Sequence, residues 1–129
     1  MTDSPARRTT LYASIGAELG WYDVDIEGGA ITRRGGVQLP GNVQYAWPHP
    51  SHEFLYVASS QQGAGALAQV SALRIEPGSG ALSRHGEPVL LHQRATHICV
   101  DVAGEHVLAA HNHPSLVGVY RLQPDGTVG

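Results

Sequence analysis

The 129-residue sequence has little charge, few aromatic side chains and no lysine. Charged residues make up only 15% of it, and the eight cationic side chains are all arginine. Because the arginines are scattered and form no basic stripe, we do not expect a nucleic-acid partner. No apolar run is long enough for a membrane-spanning helix, so no membrane partner is expected either.

A single cysteine, Cys99, excludes an internal disulfide bond. It lies in the apolar run "HICV" and is predicted to be a small buried hydrophobe. A chain without disulfides fits a reducing compartment, and the first residues contain no apolar run of signal-peptide length. We therefore expect a cytoplasmic location, with residues 1–8 as a flexible N-terminus.

Hydrophobic residues are plentiful at 42%, and 16 glycines and 8 prolines separate them into short runs. This spacing predicts many short strands joined by turns, and hence an all-β fold. The stretch "NVQYAWPHPSHEFLYVASS" (42–60) aligns without a gap on "ATHICVDVAGEHVLAAHNH" (95–113) at a spacing of 53 residues, with Gln44 over His97. Each copy has two apolar strands around a turn.

An alternating strand with a glycine-rich hairpin follows each pair, as in "VSALRIEPGSGALSRHG" (70–86) and "VGVYRLQPDGTVG" (117–129). A four-stranded unit of this length is typical of a β-propeller blade. We predict blade 1 at about 9–39, blade 2 at about 41–91 and blade 3, truncated, at about 94–129. A β-sandwich is the alternative, but it does not explain a gapless repeat. Since propellers close with four or more blades, about two and a half blades indicate an incomplete ring, from a longer or a truncated gene product.

The stretch "THICVDVAGEHVLAAHNHPSLVGVYRLQPDG" resembles the lactonase family of seven-bladed propellers, the 6-phosphogluconolactonase and 3-carboxy-cis,cis-muconate cyclase type. The family pattern is roughly Pro-Cys/Thr-His, an apolar strand, Asp-x-x-Gly, "FLFVANY" and "GSVSVYxLxxDG". The stretch "LYASIGAELGWYDVDIEGGAI" resembles the family's opening segment. The sequence departs from the pattern at Ala95, where the family has Pro or a small residue, and at His111-Asn112-His113, which replaces "ANY". The family's catalytic Arg and Glu on later blades have no counterpart here.

The resemblance implies a hydrolase acting on a small-molecule lactone or sugar acid, most simply a 6-phosphogluconolactonase in carbohydrate metabolism. His97 matches the family's Thr-His position and is the candidate catalytic base, because a histidine suits proton transfer near neutral pH. The candidate substrate-binding residues are predicted to lie near His97, at one end of the propeller's central channel. They are Gln44, Arg94, Asn112 and His113. Asn112 would donate to a carbonyl or hydroxyl oxygen, and Arg94 would bind an anionic group. The 129 residues alone are expected to be nearly inactive.

Five histidines are predicted to be surface residues on the opposite face of the propeller or on outer strands: His49, His52, His85, His92 and His106. The pair His111 and His113 could join His97 around a metal ion, but no Cys/His spacing supports such a site. We therefore predict neither a metal nor a cofactor. Three alternatives stay open: a muconate-type cycloisomerase, a non-catalytic propeller that binds a protein or sugar, and an inactive fragment.

Overall fold

The structure is a computed structural model that describes residues 9–62 and 66–129. The predicted flexible segment 1–8 lies outside the described residues. Within them the regular secondary structure is entirely β, which confirms the predicted fold class. The described residues form eleven strands in three antiparallel sheets.

The first sheet has three strands in sequence order: β1 (Thr9–Ile15), β2 (Glu18–Asp25) and β3 (Ala30–Gln38). The second sheet contains β4 (Asn42–Pro48), β5 (Phe54–Ser60), β6 (Ala68–Ile75), β7 (Leu82–Arg84) and β8 (Val89–Leu90). Strands β7 and β8 pair with successive parts of β6, so together they form one interrupted outer strand. The third sheet contains β9 (Ala95–Val100), β10 (His106–Asn112) and β11 (Ser115–Arg121), and a single bridge between Leu122 and Val128 follows.

The second sheet packs between the other two. Every residue of β5 is buried. One face of β5 presents Leu55 and Val57 to a core shared with the first sheet. The other face presents Tyr56 and Ala58 to a core shared with the third sheet. A strand covered on both faces loses the apolar–polar alternation of a half-exposed strand, which explains the continuous run "FLYVA".

Strand pairing corrects the spacing of the repeat to 52 residues. Tyr45 pairs with Ala58 in the second sheet, and His97 pairs with Ala110 in the third. Tyr45 is therefore the structural equivalent of His97, and the alignment of Gln44 over His97 is wrong by one residue. The turns of the two copies agree with the spacing of 52 residues. The residue with a left-handed backbone conformation is His52 (φ 62°) in one turn and Gly104 (φ 73°) in the other. Since side chains alternate along a strand, this one-residue correction moves every equivalence to the other face of the sheet.

Two tyrosine hydroxyls tie neighbouring sheets together in the same way. Tyr12 of β1 donates to the carbonyl oxygen of Gly80 at 2.6 Å, and Tyr56 of β5 donates to that of Gly126 at 2.7 Å. Both glycines lie in the hairpin turn of the next sheet along the chain and have positive φ. Burial, with a smaller contribution from the negative charge of Asp125, raises the pKa of Tyr56 to about 12. The hydroxyl therefore stays protonated and remains a donor at any ordinary pH.

Replacing Tyr56 with phenylalanine should lower the free energy of unfolding by about 1–3 kcal/mol, because the buried carbonyl oxygen of Gly126 loses its partner. Urea unfolding followed by circular dichroism measures the change. Tyr45→Phe is the control, since the Tyr45 side chain lies on the surface. Equal stability of the two variants would contradict a structural role for the Tyr56 hydroxyl.

The turns of the two copies also predict opposite tolerance to substitution. Gly104→Ala should destabilise the chain by about 2 kcal/mol or more, because a left-handed residue with a side chain costs about 1–2 kcal/mol. In addition, the new Cβ would lie 2.6 Å from Nε2 of His49. His52→Gly should change stability by less than about 1 kcal/mol, since relief of the left-handed strain opposes the greater flexibility of glycine in the unfolded chain. Thermal melts of both variants test the difference, which vanishes if the turns are not equivalent.

Candidate active site

The candidate site lies where β4 and β9 run next to each other as the first strands of their sheets. Each strand carries a β-bulge at the equivalent position. Gln44 is the extra residue between the pairs Val43–Ser59 and Tyr45–Ala58. Thr96 is the extra residue between the pairs formed by Ala95 and His97. Bulges redirect side chains and are common beside active sites, and these two lie directly before Tyr45 and His97.

Two of the predicted substrate-binding residues are in direct contact across the two sheets. Nε of Arg94 donates to Oε1 of Gln44 at 2.8 Å. The amide nitrogen of Gln44 in turn donates to Oγ of Ser60 at 3.1 Å and to the carbonyl oxygen of Asn42 at 3.2 Å. Gln44 therefore uses both the oxygen and the nitrogen of its side-chain amide. It holds an exposed arginine at the start of β9.

His111 supports the same arginine from the protein interior. Its side chain is 5% exposed, and its Nδ1 lies 3.1 Å from the carbonyl oxygen of Arg94. A carbonyl oxygen can only accept, so Nδ1 is the donor in this contact. Sequence reasoning placed His111 in a possible metal-binding pair and did not recognise this structural contact. Its position in strict alternation with buried Val107 and Ala109 could have shown that it points inward.

The predicted base, His97, is exposed and lies among aromatic side chains. Its ring centroid is 4.2 Å from that of Tyr45 and 5.8 Å from that of Trp47. Both aromatic residues are on β4, and sequence reasoning did not include either in the site. The alternation of "VQYAWP" was the available signal, because Tyr45 and Trp47 share the face opposite Ala46, which packs against the core.

Asn112 and His113 are exposed at the end of β10 and in the turn that follows. The carbonyl oxygen of Asn112 accepts a hydrogen bond from Oγ of Ser115 at 3.4 Å. Nε2 of Gln93, the residue before Arg94, donates to the carbonyl oxygen of Pro114 in the same turn at 3.1 Å. The turn is thereby held beside the start of β9.

Two histidines predicted to be surface residues instead join the second and third sheets. Nε2 of His49 lies 3.0 Å from the carbonyl oxygen of Gly104. Nε2 of His85 lies 2.6 Å from the carbonyl oxygen of Asp125, and its ring stacks on Phe54. The prediction rested on the positions of these histidines in a turn and on an outer strand, which say nothing about contacts with a neighbouring sheet. Cys99 also differs from expectation: it is half-buried, because it alternates with the core residues Ile98 and Val100.

The turn between β9 and β10, at the far end from Arg94, is organised by Asp101. Its carboxylate accepts hydrogen bonds from Nδ1 of His106 at 2.8 Å and from the backbone nitrogens of Glu105 and His106. The bond from the His106 side chain is the main cause that lowers the pKa of Asp101 to about 2, and the backbone bonds add to it.

Because the folded-state pKa of Asp101 is below its ordinary value of 3.8, the carboxylate stabilises the fold above about pH 4. This contribution is lost as the pH falls through about 2. We expect Asp101→Asn to be less stable than the unmodified chain at pH 6, with the difference shrinking between pH 4 and pH 2. Thermal melts across this range test it, and a difference independent of pH would contradict the assignment.

Within the described ranges 9–62 and 66–129, no three His, Cys, Asp or Glu side chains come together as metal ligands would. His111, which the metal hypothesis required, is buried and bonded to Arg94. The described part of the chain also contains no helix with the length and apolar character needed to cross a membrane.

Antiparallel sheets stacked face to face, with their first strands side by side, define the protein class as a β-propeller. The sequence of residues 9–129 matches the family described as "Lactonase, 7-bladed beta-propeller". The chain therefore belongs to this family, and β4 and β9 are strands that line its central channel.

The chain is 39% identical over 93 residues to the 6-phosphogluconolactonase of Klebsiella pneumoniae. This match covers 72% of the chain and 26% of the relative. A solved structure from Bacteroides uniformis, assigned as a 6-phosphogluconolactonase, superposes with a TM-score of 0.72 at 25% identity, covering 86% of this chain and 31% of that one. The periplasmic gluconolactonase of Pseudomonas aeruginosa gives a TM-score of 0.69 at 21% identity, covering 86% and 32%, and supports the fold alone. The chain thus spans about a quarter of the curated relative and about a third of these structures.

Proposed function

We propose that this chain supplies part of the active site of a lactone hydrolase of the 6-phosphogluconolactonase type, with a small-molecule lactone as substrate. The contact between Gln44 and Arg94, next to His97, is the observation that carries the proposal. It holds the side chain of an exposed arginine, three residues before the exposed His97, against the first strand of the neighbouring sheet. The name of the Klebsiella relative supports the substrate class.

Hydrolysis of a lactone requires a base, a donor for the carbonyl oxygen and a binding group for any anionic substituent. In the proposed mechanism His97 takes a proton from water as the water oxygen attacks the carbonyl carbon. The ring C–O bond then breaks, the ring oxygen receives the proton, and a hydroxy acid is released. Asn112 or His113 donates to the carbonyl oxygen while negative charge develops on it.

Arg94 is the proposed site for a phosphate or carboxylate group. Its Nε is occupied by Gln44, so the terminal guanidinium nitrogens are the groups that can turn toward a ligand. Gln44 restrains the Arg94 side chain and His111 contacts its backbone carbonyl oxygen, which reduces the entropy lost when an anion binds. Gln44 therefore acts as a positioning residue for Arg94.

Because the chain spans 26% of the Klebsiella relative, we propose that its 129 residues alone turn over lactone slowly. The lone cysteine is the support for a cytoplasmic location, although one structural neighbour is periplasmic. Neither a nucleic-acid nor a membrane partner is proposed.

His97→Ala should lower kcat by about 10²-fold or more, the range typical of an acid–base residue. The assay uses a chimera in which this chain replaces the matching segment of the Klebsiella enzyme. Hydrolysis of 6-phosphogluconolactone is followed at mildly acidic pH, where the uncatalysed reaction is slow. Circular dichroism checks that the fold is retained.

His52→Gly is the matched control, because it removes an exposed histidine from the far end of the sheets. Its kcat should stay within about twofold of the unmodified chimera, since it touches no group of the proposed mechanism. Full activity of folded His97→Ala would overturn the assignment of the base.

A further inference from the structure

Tyr45 and Trp47 are unusual because they are large aromatic side chains left uncovered beside a well-filled core. Their side chains are 36% and 37% exposed, whereas Tyr56 on the next strand is fully buried. In a sequence with only 6% aromatic residues, two of them on one exposed face of a channel strand point to a use at that surface.

The two rings and His97 form one continuous surface. The ring centroids of Tyr45 and His97 are 4.2 Å apart, within the range of stacked or tilted aromatic pairs, and Trp47 extends the surface toward the far face. Their backbones are fixed because each of these residues belongs to a paired strand. We call Tyr45, Trp47 and His97 the aromatic platform.

The surroundings of the aromatic platform differ at its two ends. At one end Gln44, the residue before Tyr45, holds Arg94. At the other end a cleft of about 500 Å³ opens beside Trp47. Its surface is largely apolar, from Pro48, Pro50, Val100 and Val102, and His49, His52 and Asp101 complete the lining. A ligand lying along the platform would therefore meet a cation at one end and an apolar, ring-lined surface beyond it.

We propose that the aromatic platform binds the ring of a sugar lactone by stacking, with the anionic substituent of the sugar directed to Arg94. The proposal rests on the proposed function, and it names the part of the substrate that this segment recognises. The face of an aromatic ring is electron-rich, so it attracts the positively polarised C–H groups on the face of a sugar ring. An open-chain acid of the same charge lacks that flat face and binds less tightly.

The ring contact also gives Tyr45 a positioning role for His97. The two rings are tilted by 44° with centroids 4.2 Å apart, so the Tyr45 ring restricts rotation of the imidazole. Loss of the ring would therefore weaken ligand binding and also leave His97 less well oriented for proton transfer.

Saturation-transfer NMR on the full 129-residue chain tests the platform directly. The probes are glucose 6-phosphate as a stable ring with a phosphate group, glucitol 6-phosphate as its open-chain counterpart of the same charge, and inorganic phosphate. We expect the ring C–H protons of glucose 6-phosphate to receive saturation, and this probe to bind more tightly than the other two.

Tyr45→Leu should weaken binding of glucose 6-phosphate about fivefold, the size expected for one lost ring contact, whereas Tyr45→Phe should stay within about twofold. Trp47→Thr is a second variant should Tyr45→Leu unfold, and circular dichroism monitors both. Equal binding of the ring and the open-chain probe, no binding of glucose 6-phosphate, or unchanged binding by both ring-deleted variants would overturn the platform.

The hydrolysis assay of the chimera separates the two proposals. Ring-dependent binding together with an inactive chimera would retain the aromatic platform and reject the lactonase assignment. An active chimera whose KM for 6-phosphogluconolactone does not change with Tyr45→Leu would retain the lactonase assignment and reject the aromatic platform.

Discussion

The arrangement of this chain depends on the burial of β5 on both of its faces. All seven residues from Phe54 to Ser60 are buried, so the strand cannot exist without a sheet on either side of it. Burial of a large apolar side chain contributes about 1.5–3 kcal/mol, and the two cores collect such residues from all three sheets. The hydroxyls of Tyr12 and Tyr56, together with His49 and His85, then add directional bonds between neighbouring sheets. These bonds fix how the sheets are rotated about one another, which apolar contact alone does not specify.

Stacking of the sheets also creates the candidate site. It brings the first strands β4 and β9 side by side, so that Arg94 of one sheet reaches Gln44 of the other and the His97 ring meets Tyr45. None of these contacts can form within a single sheet. The equivalent bulges at Gln44 and Thr96 are the local irregularities that interrupt regular pairing there. Rigid strands carry the groups while the bulges redirect them, a combination suited to precise placement of a ligand.

Membership of the lactonase family gives these contacts a chemical context. A fixed arginine, an exposed histidine and an aromatic surface are complementary to an anionic sugar lactone. An open-chain muconate would make less use of the rings of Tyr45 and Trp47. A protein-binding propeller would not need a guanidinium held in place by a glutamine of the neighbouring sheet. The polar and aromatic groups together therefore favour a small, ring-shaped, anionic ligand.

Much of this structure could be predicted from the sequence, because short apolar runs separated by glycine and proline specify strands and turns locally. The all-β fold and the family follow from such runs and from motifs such as "THICVDVAGEH". The spacing of the repeat could not be predicted correctly, since β5 is buried at its odd and its even positions alike. An alignment one residue out of register therefore matches almost as well. That shift concealed the equivalence of Tyr45 and His97 and left the aromatic platform unrecognised. Long-range contacts, such as that of His111 with Arg94 within the third sheet and that of Gln44 with Arg94 between two sheets, join residues 17 and 50 positions apart. Only the tertiary structure decides them, because they depend on which faces pack together and not on any local pattern.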